Sequence, residues 1–333
     1  MNDASLRRAA ELVETALVWD DHSGFMPDPA ADLNNLRIWR DAGVNYLSID
    51  VGFDLMPWTK TVETLAHFRK WLNGRPDEYS LVERAADVAE ARAAGRMAIT
   101  FDIEGMNALN GRVEMVEFYH RLGVRQMLFA YNRNNLAGGG CHDDDCGLTA
   151  FGREVIDEMN RLGMFVDLSH AGPRTVRDVL EYSDQPVMFS HSNAKGLRAH
   201  GRNVDDGLLR ACAERGGVIG AVGIGLFIGE GRAGPEAFAD HIDHLITVAG
   251  PEHVGLGLDY GFEVELEGLD EIVANHPEFW PLEEGYGSAP MSFVSPDMLP
   301  AICGSLLDRG HSEEVIRGVL GENFLALAER IWR

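Results

Sequence analysis

Four cysteines in 333 residues are too few to staple a fold, which argues against a disulfide scaffold and leaves apolar packing to hold the chain together. Basic residues are also scarce. Lys and Arg number 29 against 53 Asp and Glu, a formal net charge of −24. A surface of that sign repels phosphate backbones and anionic headgroups, so neither nucleic acid nor a membrane surface is an expected partner. No run approaches the roughly 18 consecutive apolar residues that span a bilayer. The opening stretch MNDASLRRAAELVETALVWDD lacks the apolar segment of a signal peptide, and the expected location is cytoplasmic. No GxGxxG follows the first apolar run, which weakens a dinucleotide-binding reading.

What the sequence does have is an ordinary globular balance, 45% hydrophobic and 25% charged, enough for a large core. Eight strand-like apolar runs can be read: 16–22, 44–51, 96–104, 124–132, 163–170, 186–191, 216–224 and 253–260. Between most of them lies a helical pattern. In 149–162, Phe151, Val155, Met159 and Leu162 recur near a period of 3.6, with Thr149 placed to cap the start and Gly163 to end it. Residues 112–122, 173–183 and 205–215 read the same way. A helix–glycine–strand junction recurs in DAGVNYLSI, RLGVRQMLF, RLGMFVDLS and ERGGVIGAV. Glycine past a helix end supplies the left-handed cap, and repetition of the unit implies a parallel sheet with right-handed crossovers. The expected fold is a (β/α)8 TIM barrel in one domain over 1–333, with an open doubly wound sheet as the alternative. Residues 52–80 and 261–296 read as long loops, the second shaping a substrate pocket. Residues 297–332 read as two closing helices, GENF (321–324) beginning the last.

Five of the apolar runs end in a polar residue: His22 in ALVWDDH, Glu104 in RMAITFDIEG, His170 in GMFVDLSH, His191 in QPVMFSH and Asp259 in HVGLGLDY. One histidine alone reads as a core or surface residue. Ligand-type residues at the same end of separate barrel strands read as a shared metal site. His170 and His191 fall on adjacent staves, Glu104 is placed to bridge two metals, and His22 to complete a second site. Asp259 is placed either to cap a turn or to move a proton between water and a leaving group. In CHDDDC (141–146), Cys141, His142 and Cys146 do not have CxxC spacing, and the segment reads as an acidic loop with two reduced thiols.

The stretches GLTAFGREVIDEMNRLGMFVDLSHA, PVMFSHSNAKGLRAHGRNV, HVGLGLDY and LGENF resemble the membrane (renal-type) dipeptidase family, the M19 zinc peptidases of the amidohydrolase superfamily. With the order of the barrel runs, the resemblance covers nearly the whole chain. It implies a binuclear zinc barrel that hydrolyses dipeptides, often tolerating a D-residue at the second position, and a homodimer that no stripe in the sequence itself shows. Glu104 resembles the bridging carboxylate, His170 and His191 the ligands of one zinc, and His22 a ligand of the other. Asp259 resembles the catalytic acid/base. Arg202, in HGRNV, resembles the arginine that grips the substrate carboxylate, a task suited to the guanidinium fork.

Two positions depart from the family pattern. Its first strand normally ends in HxD, the aspartate being a second ligand of one metal. Here the stretch is DDHSGF, and the position is Gly24. One or two zinc ions are therefore open readings, the second resting on Asp20 or Asp21. On an ideal strand Asp20 shares a face with His22 and Asp21 does not. After the fourth strand, a histidine that supports the substrate oxygen is replaced by Tyr131, whose phenol can donate one hydrogen bond to an oxyanion. The expected function is hydrolysis of a dipeptide. The alternatives are another small amide, a lactone or an N-acyl amino acid on the same metal barrel, or a degenerate barrel that binds a ligand without turnover.

Overall fold

The computed structural model describes residues 3–229, 233–261, 271–288 and 290–333. Its strands are β1 (Trp19–Ser23), β2 (Tyr46–Phe53), β3 (Tyr79–Leu81), β4 (Met97–Glu104), β5 (Val124–Leu128), β6 (Phe165–Asp167), β7 (Ile219–Ala221) and β8 (Val254–Leu256). Every neighbouring pair runs parallel, in the order β6-β5-β4-β2-β1-β8-β7. The segment 186–191 closes the ring. Met188 pairs with Asp167 of β6 and Phe189 with Ile219 of β7. Eight staves result, the eight apolar runs of the sequence, and the fold is a (β/α)8 barrel. The 186–191 stave makes only two bridges, too few for a ladder of its own. β3 lies beside the first part of β4 and is an addition to the ring.

Parallel strands covered on both faces need continuous apolar or internally satisfied sequence. β4 accordingly is buried at all eight positions. Helices form where the pattern predicts, at Glu114–Arg121, Ala150–Leu162, Pro173–Tyr182 and Asp206–Glu214. The Thr149 side chain accepts from the Gly152 amide, and Gly163 takes the left-handed conformation at φ 76°, the two ends read from sequence.

Two expectations are corrected. Residues 52–80 are not a loop: Trp58–Asn73 is a helix burying Thr61, Thr64, Leu65, Phe68 and Leu72, a 3–4 spacing in which two threonines stand in the apolar stripe. Nor are there two closing helices. Leu299–Asp308 is followed by Glu313–Arg317, a π-turn over Gly318–Glu322, and Asn323–Ile331. A Cβ at Gly321 would lie 2.7 Å from the Leu17 carbonyl and 2.9 Å from Trp19, so the glycine of GENF lets this turn lie against β1.

The N-terminal end of the barrel is plugged. Trp19 and Tyr46 stack at 3.5 Å, and Trp332 reaches Trp19 at 5.6 Å. Each such aromatic contributes about 1.5–3 kcal/mol by leaving water. The opposite, C-terminal end stays open. Among the described residues no helix is long and apolar enough to cross a membrane.

Candidate metal centre

The C-terminal ends of the staves bring His22, Glu104, His170, His191 and Asp259 together. The Glu104 Oε1 atom lies 3.5 Å from His22 Nε2, 3.3 Å from His170 Nε2 and 3.4 Å from His191 Nε2. His22 Nε2 is 3.8 Å from Asp259 Oδ1. The ring nitrogens point inward because their far sides are held. Asn132 donates its amide to the Phe279 carbonyl (2.9 Å), which turns its Oδ1 toward His170 Nδ1 at 2.7 Å. His170 must therefore carry its proton on Nδ1 and present a bare Nε2 lone pair. His22 Nδ1 faces Asp102 Oδ1 at 3.1 Å, and Asp102 in turn accepts from Ser48 Oγ at 2.5 Å. His191 Nδ1 faces Ser190 Oγ at 2.7 Å. This carboxylate- and hydroxyl-backed arrangement is how metal-ligating imidazoles are oriented.

The electrostatics fit a cation. Glu104 Oε1 is buried and has no hydrogen-bond donor among the described residues. His170 Nε2 and His191 Nε2 lie 2.9 Å apart. Burial, aided by the charges of Arg202 and His22, holds both rings well below their ordinary pKa and hence neutral. Burial pushes the Glu104 carboxyl up to about 8, His22 opposing and Asp259 adding to the shift. Burial also opposes charge on His22, but Asp102, Glu104 and Asp259 outweigh it and raise its pKa well above the usual value. His22, Glu104 and His191 alone offer three ligand atoms within 4.8 Å of one another. Lone pairs from neutral imidazoles converging on an unpartnered carboxylate oxygen are a donor set suited to zinc or a similar dication.

Position 24 cannot hold a ligand. A Cβ there would lie 2.8 Å from the Tyr260 carbonyl carbon and 2.9 Å from the Asp259 oxygen and the Gly261 nitrogen, all backbone atoms. Gly24→Ala is expected to destabilise the protein by about 1–3 kcal/mol through overpacking, read as a lowered denaturation midpoint, and an aspartate here would displace the Asp259 segment. Asp20 and Asp21 do not substitute. A bulge between Asp20 and Ser23 breaks the ideal alternation. Asp20 turns to accept from Trp39 Nε1 (2.9 Å) and the Leu258 amide (2.7 Å). Asp21 accepts from Trp19 Nε1 (2.7 Å), toward the plugged end.

Arg202 is 2% exposed. Its Nη2 donates to the His191 carbonyl at 3.2 Å and its guanidinium lies over Phe227 at 5.4 Å. No described carboxylate pairs with it, and its Nε has no acceptor. A surface ion pair is thus not its role. Tyr131 stacks on His170 at 4.4 Å and lines a cavity of about 1060 Å³, counted with its open mouth, together with His22, Glu104 and Asp259. Burial and the nearby Glu104 charge raise the Tyr131 pKa well above its ordinary value, so the phenol stays a donor. The segment 261–296 does form one wall, through Trp280, Tyr286 and Phe293; its residues 262–270 and 289 lie outside the described residues.

The CHDDDC loop is held against a helix end. Asp145 accepts from the Arg174 (2.6 Å) and Thr175 (3.0 Å) amides at the start of Pro173–Tyr182. Cys141 Sγ donates to Asn132 Oδ1 at 3.3 Å, while Cys146 is exposed, and all four cysteines are free. Sequence reasoning passed over Asp102, Asp50 and Asn132. Asp102 was within reach, since alternation in TFDIE sets it on the inward face with Glu104.

These features define a class: a (β/α)8 barrel with a buried metal-ligating cluster at its C-terminal mouth. The membrane dipeptidase family (peptidase family M19) matches over residues 54–280, and the chain belongs to it. It is 34% identical over 302 residues to an uncharacterized dipeptidase of Schizosaccharomyces pombe, covering 87% of this chain and 65% of that relative. The chain thus spans just under two thirds of that relative's length. Among solved structures, an amidohydrolase from Pseudomonas aeruginosa superposes with TM-score 0.85 at 27% identity, covering 97% of this chain and 99% of that one. A metallo peptidase from Rhodobacter sphaeroides, liganded with a phosphinate mimic of the dipeptide L-Ala-D-Ala, gives TM-score 0.77 at 22% identity, covering 96% and 100%; at that identity the likeness is one of fold.

Proposed function

We propose that the protein is a zinc-dependent dipeptidase, acting on short substrates with a free terminal carboxylate. The observation that carries this reading is the convergence of three imidazole Nε2 atoms on the unpartnered Glu104 oxygen, beside a buried guanidinium that no described carboxylate neutralises. His170, His191 and Glu104 would hold one cation, and His22 with Glu104 the other. A dication there supplies Lewis acidity to the scissile carbonyl and lowers the pKa of a bound water toward about 7.

The chain's own groups do the rest. Asp259 accepts the proton of the attacking water and returns it to the leaving amine. Tyr131, kept protonated, donates to the oxygen that gains charge in the tetrahedral species. Arg202 binds the substrate carboxylate through its fork and so limits substrate length. The aromatic wall excludes water, which strengthens each of these contacts.

The direct test is hydrolysis of a dipeptide panel, L-Ala-L-Ala and L-Ala-D-Ala included, before and after chelation and zinc readdition. Turnover lost on chelation and restored by zinc is expected; no hydrolysis of any dipeptide by zinc-loaded protein overturns the reading. The aromatic wall beside Arg202 also suits an N-acyl amino acid, with the acyl chain on Phe227 and Tyr286, and activity on that class alone would move the assignment there. Arg202→Ala is expected to raise KM for free dipeptides about 30- to 1,000-fold, as when a buried charge pair loses one partner. It should barely change turnover of dipeptide amides.

A further inference from the structure

We propose that Asp50, at the C-terminal end of β2, supplies the second-cation carboxylate that Gly24 cannot, completing a site with His22 and Glu104. The inference rests on the metal reading above and concerns a residue that the HxD pattern does not contain.

The first support is register. β1 pairs with β2 through Ser23↔Ile49, and continuing one residue along sets Gly24 beside Asp50. By this extension of the register, the carboxylate missing from one stave falls at the neighbouring position of the next. In the other direction Asp50 pairs with Asp102. Paired residues of parallel strands project to the same face, and Asp102 reaches inward to His22 Nδ1. Asp50 therefore shares the inward face.

The second support is the state of its oxygens. Asp50 is 3% exposed yet lines the cavity with His22, Glu104 and Asp259. Among the described residues its one hydrogen bond comes from the Gly52 amide to Oδ1 at 2.9 Å. That bond holds Oδ1, and Oδ2 accepts no hydrogen bond among the described residues. A bulge in β2 between Asp50 and Phe53 makes room for this local turn.

The third support is charge. Asp50, Asp102, Glu104 and Asp259 are four carboxyls set among three imidazoles and one guanidinium. Such a group of buried like charges is relieved by a cation among them. The unpartnered Glu104 Oε1 shows where that cation is wanted from the other side.

The experiment is metal stoichiometry per chain, by inductively coupled plasma mass spectrometry after zinc loading and gel filtration. It compares the unaltered protein with Asp50→Asn, which preserves volume and can still accept from Gly52. Manganese-loaded samples of both are read by electron paramagnetic resonance for exchange coupling across Glu104. Expected are two equivalents and a coupled signal in the unaltered protein. The Asn variant should keep one equivalent, bind the second at least 10-fold more weakly, and give an isolated-ion signal. Two equivalents with undiminished affinity in both would overturn the role of Asp50. One equivalent in both would overturn it too, while leaving the dipeptidase reading intact. No zinc in the unaltered protein would overturn that reading itself. Should Asp50→Asn fail to fold, Asp50→Ser is read in the same way.

Discussion

Glu104→Gln is expected to empty the metal centre and reduce hydrolysis to background. Three imidazole Nε2 atoms converge on Glu104 Oε1 at 3.3–3.5 Å. A neutral amide oxygen cannot balance a dication there, and the alternative rotamer would aim an N–H into the same space. Removing an outer hydrogen-bonding partner of a ligand already costs about 10- to 100-fold in affinity, so loss of the shared ligand should exceed 100-fold. The metal-free variant should nevertheless be more stable than metal-free unaltered protein. Burial lifts the Glu104 pKa from an ordinary 4.5 to about 8, so the native state binds the extra proton across that window. Stability then falls as pH rises between those values. Glutamine has no such dependence, and the gap in melting temperature should widen from pH 5 to pH 8. Retained zinc in Glu104→Gln, or a metal-free variant less stable at pH 8, would show that Glu104 is not the strained centre of the cluster.

Much of this arrangement was readable in advance. The eight apolar runs are the eight staves because buried parallel strands must be nearly continuous in apolar residues. Thr149 and Gly163 end their helix as cap chemistry requires. His22, Glu104, His170 and His191 stood out because a polar side chain closing an apolar run has nowhere to go but the barrel mouth. The misses are also physical. The stripe of Trp58–Asn73 is carried partly by Thr61 and Thr64, which an apolar-period search discounts. The bulge in β1 turns Asp20 to Trp39, and no alternation rule anticipates a bulge. Asp50 lay inside a run and not at its end, so nothing local marked it. Its proposed role rests on register, which carries its stave alongside that of Gly24.

Backbone strain was equally hidden. Among the described residues four non-glycine residues have positive φ: Asn110, Asn132, His170 and Asp259. The last three belong to the cavity or to the hydrogen bonds that aim its ligands. Side chains held in the left-handed region persist only where the surroundings over-determine them, and they concentrate at functional sites. The junction glycines of the barrel perform the same turns without strain. On the proposed reading, a side chain stands at 170 and 259 because the reaction would need an imidazole and a carboxylate there.

That constraint makes Asp259→Asn the cleanest test of the chemistry. Asparagine tolerates φ near 51° as readily as aspartate. The Asp259 amide, which donates to the His22 carbonyl at 3.0 Å, is untouched. Its carboxylate stands 3.8 Å from His22 Nε2, close enough to reach a water at the cluster without being needed to hold the cation. Zinc content should therefore be unchanged and KM nearly so, while kcat falls about 100- to 10,000-fold, the span associated with a positioned acid/base. Part of that loss lies in returning a proton to the departing amine. A nitrophenyl ester, whose phenolate departs without a proton, should recover a share of the rate, and dipeptides should recover none. Full activity in Asp259→Asn would remove it from the reaction. Lost zinc would make it a ligand, and equal losses on ester and dipeptide would restrict it to activating the water.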